Sequence, residues 1–203
     1  MLIPGLRPAV KRAVDPVARR LLAAGVSPDA VTVAGTVGTV LSAVLLLPTG
    51  HFLAGGLLVT AFVLTDVLDG TMARQRGTTS PFGAWLDSTC DRVADAAVFG
   101  GLALWYSGGG HDRALQAVCV YVLAASLVVS YAKARAEGLG MTCNVGIAER
   151  TERLALVLAA ALLLGLGVPD VVLAVAMVAL AVLTTVTVGQ RAVEVRRQAT
   201  LST

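Results

Sequence analysis

DVLDGTMARQRGTTSPFGAWLDSTCD, residues 66–91, sets four aspartates beside Arg74 and Arg76. It lies between two stretches apolar enough for a lipid bilayer, FLAGGLLVTAFVLT (52–65) and ADAAVFGGLALWY (94–106). Asp66 and Asp69 are three apart near the end of one apolar run, and Asp87 and Asp91 are four apart near the start of the next. Those spacings put each pair on one helical face. A turn of about 17 residues between antiparallel helices then brings the four carboxylates together.

The rest of the chain is of the same kind. Its 203 residues are 56% hydrophobic, with a mean hydropathy of +0.79, well outside the range of soluble domains. Apolar runs at 31–48, 52–73, 84–106, 114–136, 153–168 and 170–190 read as six transmembrane helices of an all-α polytopic protein. The expected organisation is an N-terminal amphipathic segment (1–26), a six-helix membrane domain (27–198) and a short tail (199–203). Within the first segment, residues 6–25 interleave basic and apolar residues as an interfacial helix does, with Pro16 as a candidate break. Cys90, Cys119 and Cys143 show neither pair spacing nor a metal-ligand pattern.

The turns alternate in charge. Arg7, Lys11, Arg12, Arg19, Arg20, Arg74, Arg76, Lys133, Arg135, Arg150, Arg153, Arg191, Arg196 and Arg197 fall on one side, and Arg113 alone is near the other. The positive-inside rule therefore puts both termini and the aspartate-rich stretch on the cytoplasmic side of a plasma (inner) membrane. Membrane lipid is the expected surrounding partner, and no nucleic-acid partner is expected.

Four converging carboxylates repel one another at a membrane boundary and call for cations. With no His or Cys in position to favour zinc, the oxygen-only set suits Mg²⁺ or Mn²⁺. A salt-bridge network with Arg74, Arg76 and Arg92 is the competing reading. It gives no reason for Gly70 and Gly83, where a missing side chain admits a bulky ligand to the backbone. Arg74 offers a planar set of donors to a phosphate or nucleotide, and Ser80 offers a hydroxyl to the same ligand.

The pattern Asp66-x2-Asp69-Gly70-x2-Ala73-Arg74-x8-Gly83-x3-Asp87-x3-Asp91 resembles the signature of the CDP-alcohol phosphotransferases in every fixed position. The resemblance implies that Asp66, Asp69, Asp87 and Asp91 hold two divalent ions, with Asp91 also the general base. It implies displacement of CMP from a CDP-linked alcohol by a second alcohol. Ser27-Pro-Asp-Ala-Val-Thr32 is similar to that family's Pro-Asn-x2-Thr segment, which helps bind the CDP group; here Asp29 replaces the commoner Asn and can accept from the cytosine amino group. Asp29, Ala30, Val31, Thr32, Gly70, Ala73, Arg74, Ser80 and Gly83 are thereby assigned to CDP-diacylglycerol.

Further along, SYAKARAE (130–137) and ERTERL (149–154) resemble the actinobacterial phosphatidylinositol phosphate synthases of this family. The resemblance makes Lys133, Arg153 and Arg191 ligands of the phosphate of an inositol phosphate acceptor, with Arg135 and Arg150 alongside, and implies a homodimer by family analogy. The expected reaction is transfer of the phosphatidyl group to inositol phosphate. Glycerol 3-phosphate, giving phosphatidylglycerol phosphate, is the rival acceptor. A divalent-cation transporter is the remote alternative, and it is disfavoured because the acidic residues cluster at one mouth instead of along several spans.

Overall fold

The computed structural model describes residues 6–77 and 80–201, with side chains from 14 to 77 and from 80 to 200. Eight helices follow in order: α1 (Leu6–Ala23), α2 (Pro28–Leu46), α3 (Phe52–Val63), α4 (Thr65–Arg76), α5 (Pro81–Ser107), α6 (Arg113–Gly138), α7 (Arg150–Gly165) and α8 (Val171–Leu201). Local chemistry explains their starts. Ser27 and Ser80 each turn a side-chain oxygen onto the amide three residues on (3.2 Å and 2.9 Å), with Pro28 and Pro81 in the first helical turn. Asp112 caps α6 through the amides of Ala114 and Leu115 at 2.9 Å and 3.0 Å.

The six-span expectation is corrected. Among the described residues, four helical stretches are long and apolar enough to cross a bilayer: Pro28–Leu46, Phe52–Arg76, Arg113–Gly138 and Val171–Thr200. Helix α5 has the length, at 27 residues. Asp87, Asp91, Arg92 and Asp95 crowd its first half, so that none of its 18-residue windows is as free of charge as the four spans. Helix α7 is only 16 residues long. The protein is thus an all-α polytopic membrane protein with four long apolar helices, not six.

Other boundaries also differ from the sequence reading. The second apolar run is offset at Leu64, where the ladder tightens to a bond from the Val67 amide to the Leu64 carbonyl (3.2 Å). There Thr65 also donates its hydroxyl to the Phe62 carbonyl (2.6 Å). The aspartate-bearing helices are longer than the expected 17-residue turn implies. Helix α4 continues to Arg76, Gly77 closes it at φ 67°, and α5 begins at Pro81. Helix α1 runs through Pro16 without a break; the side chains of residues 6–13 and the whole of residues 1–5 lie outside the described residues, as do residues 202 and 203 of the expected tail.

Six helices close on one another in a ring. Helix α2 packs on α5, α5 on α6, α6 on α8, α8 on α7, α7 on α3, and α3 back on α2. Their inward faces make one core, with Phe99 and Leu102 of α5, Val122 of α6, Val157 of α7 and Met177 of α8 all fully buried. Small residues let the backbones approach: a methyl on Gly101 would stand 2.6 Å from the Ala43 carbonyl oxygen of α2. The outward faces carry Leu41, Leu45, Leu57, Val120, Val175 and Val182, all exposed, as a lipid-facing surface requires. Helix α4 stands apart from this ring against α1 and α2.

Candidate active site

The capped starts of α2 and α5 and the body of α4 surround a cavity of about 450 Å³. Asp66, Asp69 and Asp87 line it, together with Asp29, Thr32, Gly70, Ala73, Arg74, Ser80 and Gly83. Two helix N-termini border the same space, and their free amides and dipoles favour an anion there. Of the residues assigned to the nucleotide lipid, Ala30 lies instead in a neighbouring apolar groove with Val33, Val37, Leu41, Phe62 and Phe82. Asp29 borders both spaces. Val31 borders neither of them.

The glycines behave differently from those of the ring. A methyl on Gly70 would meet nothing nearer than Nη1 of Arg74 at 3.5 Å, so packing within the chain does not demand glycine there. The space it leaves is the cavity's. At Gly83 a methyl would approach Ser80 Oγ at 3.2 Å and Asp29 Oδ1 at 3.4 Å, narrowing the same space. Arg74 is exposed and donates to Thr71 Oγ1 at 3.0 Å, leaving most of its donors free for a ligand.

Asp69, 5% exposed, is the most buried of the four signature carboxylates, and Thr32 donates its hydroxyl to Asp69 Oδ2 at 2.5 Å. That bond ties α2 to α4 and orients the carboxylate. Asp91 faces a second, smaller pocket of about 170 Å³, lined also by Lys133, Arg150, Arg153 and Arg191. The three basic residues expected to meet on one anion, from α6, α7 and α8, therefore share one pocket. Arg191 is 3% exposed and donates through Nε to the Val145 carbonyl (3.0 Å) and through Nη1 to the Val129 carbonyl. Arg153, 1% exposed, donates to the Ala148 carbonyl at 2.9 Å and to Asp95 Oδ2 at 3.1 Å, while its Nε has no partner. An unsatisfied buried N–H is costly unless a ligand meets it.

Arg150, expected alongside the basic acceptor residues, lines their pocket and does more, and Asp95, not singled out in the sequence, joins it. Arg150 opens α7 and reaches between the carboxylates: its Nη1 is 2.7 Å from Asp66 Oδ2 and 2.8 Å from Asp91 Oδ1. Its Nε lies 3.3 Å from Asp95 Oδ1. Asp95, 4% exposed, thus bridges Arg150 and Arg153. Asp95 follows Asp87 and Asp91 at the same four-residue interval, a signal hidden by its apolar neighbours; for Arg150 the sequence pointed to the basic pocket and gave no sign of its contact with the aspartates.

The competing salt-bridge network takes a different form from the expected one. Arg92 is 3.4 Å from Asp91, and among the described residues Arg74 and Arg76 form no ion pair with the aspartates. With Arg150 between them, the described residues contain no cluster of three or more acidic, His or Cys groups arranged to hold a metal ion. The donor chemistry nonetheless fits a hard divalent cation, since carboxylates from two facing helices supply only oxygen and Asp69 and Asp87 carry no ion pair among the described residues.

Known proteins with this arrangement agree on its class. Residues 25–187 match the sequence model of the CDP-alcohol phosphatidyltransferases. The chain is 50% identical over 193 residues to the phosphatidylinositol phosphate synthase of Streptomyces avermitilis, covering 92% of this chain and 79% of that one. It is 47% identical over 192 residues to that of Mycobacterium marinum, covering 91% and 80%. In three dimensions it is similar to the crystal structure of Mycobacterium tuberculosis phosphatidylinositol phosphate synthase with CDP-DAG bound, with a TM-score of 0.88, 44% identity and coverage of 91% and 94%. The same enzyme in complex with manganese and citrate gives a TM-score of 0.84 at 44% identity, covering 89% and 87%. This chain belongs to the CDP-alcohol phosphatidyltransferase family.

Proposed function

We propose that this protein transfers the phosphatidyl group of CDP-diacylglycerol to inositol phosphate, yielding phosphatidylinositol phosphate and CMP. The observation that carries the reading is the adjoining of two pockets. An acidic cavity lined by Asp66, Asp69 and Asp87 lies beside a basic pocket lined by Asp91 and Arg150, and the 2.7 Å contact from Arg150 to Asp66 links the two. The high identity to phosphatidylinositol phosphate synthases over nearly the whole chain supports the same substrates.

The chain's residues divide the work. The cytidine end of the donor meets Asp29 and Thr32, its diphosphate meets Arg74 and the starts of α2 and α5, and Gly70 and Gly83 leave it room. The acyl chains take the apolar groove beside Asp29. Asp66, Asp69, Asp87 and Asp91 would hold two divalent ions, Mg²⁺ or Mn²⁺, and manganese is present in a structure of a relative. When bound, such ions neutralise the diphosphate and polarise the phosphorus.

Lys133, Arg153 and Arg191 hold the acceptor's phosphate, and the unpartnered Nε of Arg153 is one donor available for it. Asp91 takes the proton of the attacking hydroxyl. A bond forms from that hydroxyl oxygen to the phosphatidyl phosphorus, the bond from phosphorus to the oxygen of CMP breaks, and CMP leaves with the bonding pair. By the positive-inside rule the basic ends support a site on the cytoplasmic side of the plasma membrane, and family analogy supports a homodimer.

Purified protein in detergent, given radiolabelled CDP-diacylglycerol and Mn²⁺, is expected to form phosphatidylinositol phosphate with inositol phosphate and to lose turnover in EDTA. Turnover with glycerol 3-phosphate and none with inositol phosphate would reject the acceptor. Light scattering of the same preparation checks the dimer.

A further inference from the structure

Arg150 occupies an unusual position for a helix-opening residue. One of its nitrogens bridges carboxylates from two different helices, Asp66 of α4 and Asp91 of α5, while a second nitrogen rests on Asp95. Its side chain is 23% exposed and borders the basic pocket, not the acidic cavity. Of the ion pairs among the described residues, those of Arg150 are the ones that link α4 to α5 through the aspartate signature.

We propose that Arg150 is a built-in counter-cation that holds Asp66 and Asp91 together in the metal-free protein and is displaced by divalent ions, its charge then passing to the acceptor pocket. The proposal rests on the reading of the four aspartates as metal ligands given above. Nη1 meets Asp66 Oδ2 and Asp91 Oδ1, so a divalent ion bound to either carboxylate would share it with Arg150, and the two positive charges would then lie a few ångströms apart. Both cannot stay. The contact between Nε and Asp95 supplies a pivot, because a rotation about it moves the Nη atoms off the carboxylates while the guanidinium remains anchored. The side chain already lines the pocket shared by Lys133, Arg153 and Arg191.

Two properties follow. Before loading, the guanidinium offsets the mutual repulsion of the carboxylates and links α4 to α5. After loading, the same charge favours an acceptor phosphate, so metal and acceptor bind with positive coupling, and the coupling is reciprocal.

The test uses metal-free protein in detergent with Mn²⁺ alone, following free Mn²⁺ by electron paramagnetic resonance and melting temperature by fluorescence. Arg150→Gln removes the competing charge. It is expected to lower the melting temperature of the metal-free protein, to enlarge the increase that Mn²⁺ produces, and to tighten Mn²⁺ binding on the order of tenfold, the factor equivalent to one pKa unit of interaction. Arg150→Lys, which keeps the charge but cannot bridge two carboxylates and Asp95 at once, is expected to fall between the two and serves if the Gln variant does not fold. Sulfate titrated as a phosphate mimic is expected to bind better with Mn²⁺ present in the wild type, and to lose that gain in Arg150→Gln. Mn²⁺ affinity unchanged or weakened in both variants, with the wild type binding normally, overturns the counter-cation while leaving the metal site intact. No Mn²⁺ binding by the wild type overturns both.

Discussion

Replacing Asp95 by Asn removes one buried negative charge without changing the side chain's shape. Asp95 accepts from Arg153 at 3.1 Å and Arg150 at 3.3 Å, and Arg153 is 1% exposed, so water cannot take over its solvation. Breaking a buried pair by removing one partner typically costs about 3–5 kcal/mol. The lower end applies here, because the Asn carbonyl still accepts one bond and Arg150 keeps Asp66 and Asp91. At roughly 2–4 °C per kcal/mol for a domain of this size, a loss of about 3 kcal/mol lowers the melting temperature by roughly 6–12 °C. The assay is thermal unfolding in detergent followed by the fluorescence of Trp85 and Trp105. Steady-state kinetics add a readout that stability alone does not move: KM for inositol phosphate is expected to rise while KM for CDP-diacylglycerol holds, since Asp95 aims Arg153 and touches nothing in the donor cavity. A melting temperature unchanged within about 2 °C, together with unchanged acceptor KM, refutes the idea that this carboxylate supports the basic pocket.

Gly70→Ala adds one methyl to the cavity in a helix where alanine is favoured by up to about 1 kcal/mol, so melting temperature is expected to hold or rise while donor KM increases; unchanged donor kinetics would show that the space is not used. Thr32→Val deletes the hydroxyl that orients Asp69, and Mn²⁺ affinity measured by titration is expected to fall by about tenfold, in line with loss of an outer hydrogen bond at a metal ligand. Lys133→Ala removes a partly exposed cation whose nearest carboxylate, Glu137, is 3.9 Å away. Little stability is at stake in such a pair, and acceptor KM is expected to rise with donor KM unaltered in the same transfer assay.

The aspartate signature was legible because it is local: helical spacing alone puts Asp66 with Asp69 and Asp87 with Asp91, and the structure brings both helices to one cleft. Ser27 and Ser80 were equally readable as helix starts, though that they face the same cavity depends on the packing of α2 against α5. The number of spans was misjudged because hydropathy treats the charged first half of α5 and the short α7 as further crossings. The offset at Leu64 had no Pro or Gly to announce it. Asp95, and the reach of Arg150 to the aspartates, were not legible for a shared reason. Their meaning lies in an encounter between α5 and α7, more than fifty residues apart, and no periodicity within either helix encodes it.

The two halves of the aspartate set ride on differently seated supports. Helix α5 is a stave in the closed barrel-like wall, wedged between α2 and α6, whereas α4 leans outside that wall on α1 and α2. Asp87 and Asp91 thus sit on a strut braced from two sides and Asp66 and Asp69 on a buttress outside it, so the two halves of the signature come from separately anchored pieces of the fold and meet only through Arg150 among the ion pairs of the described residues.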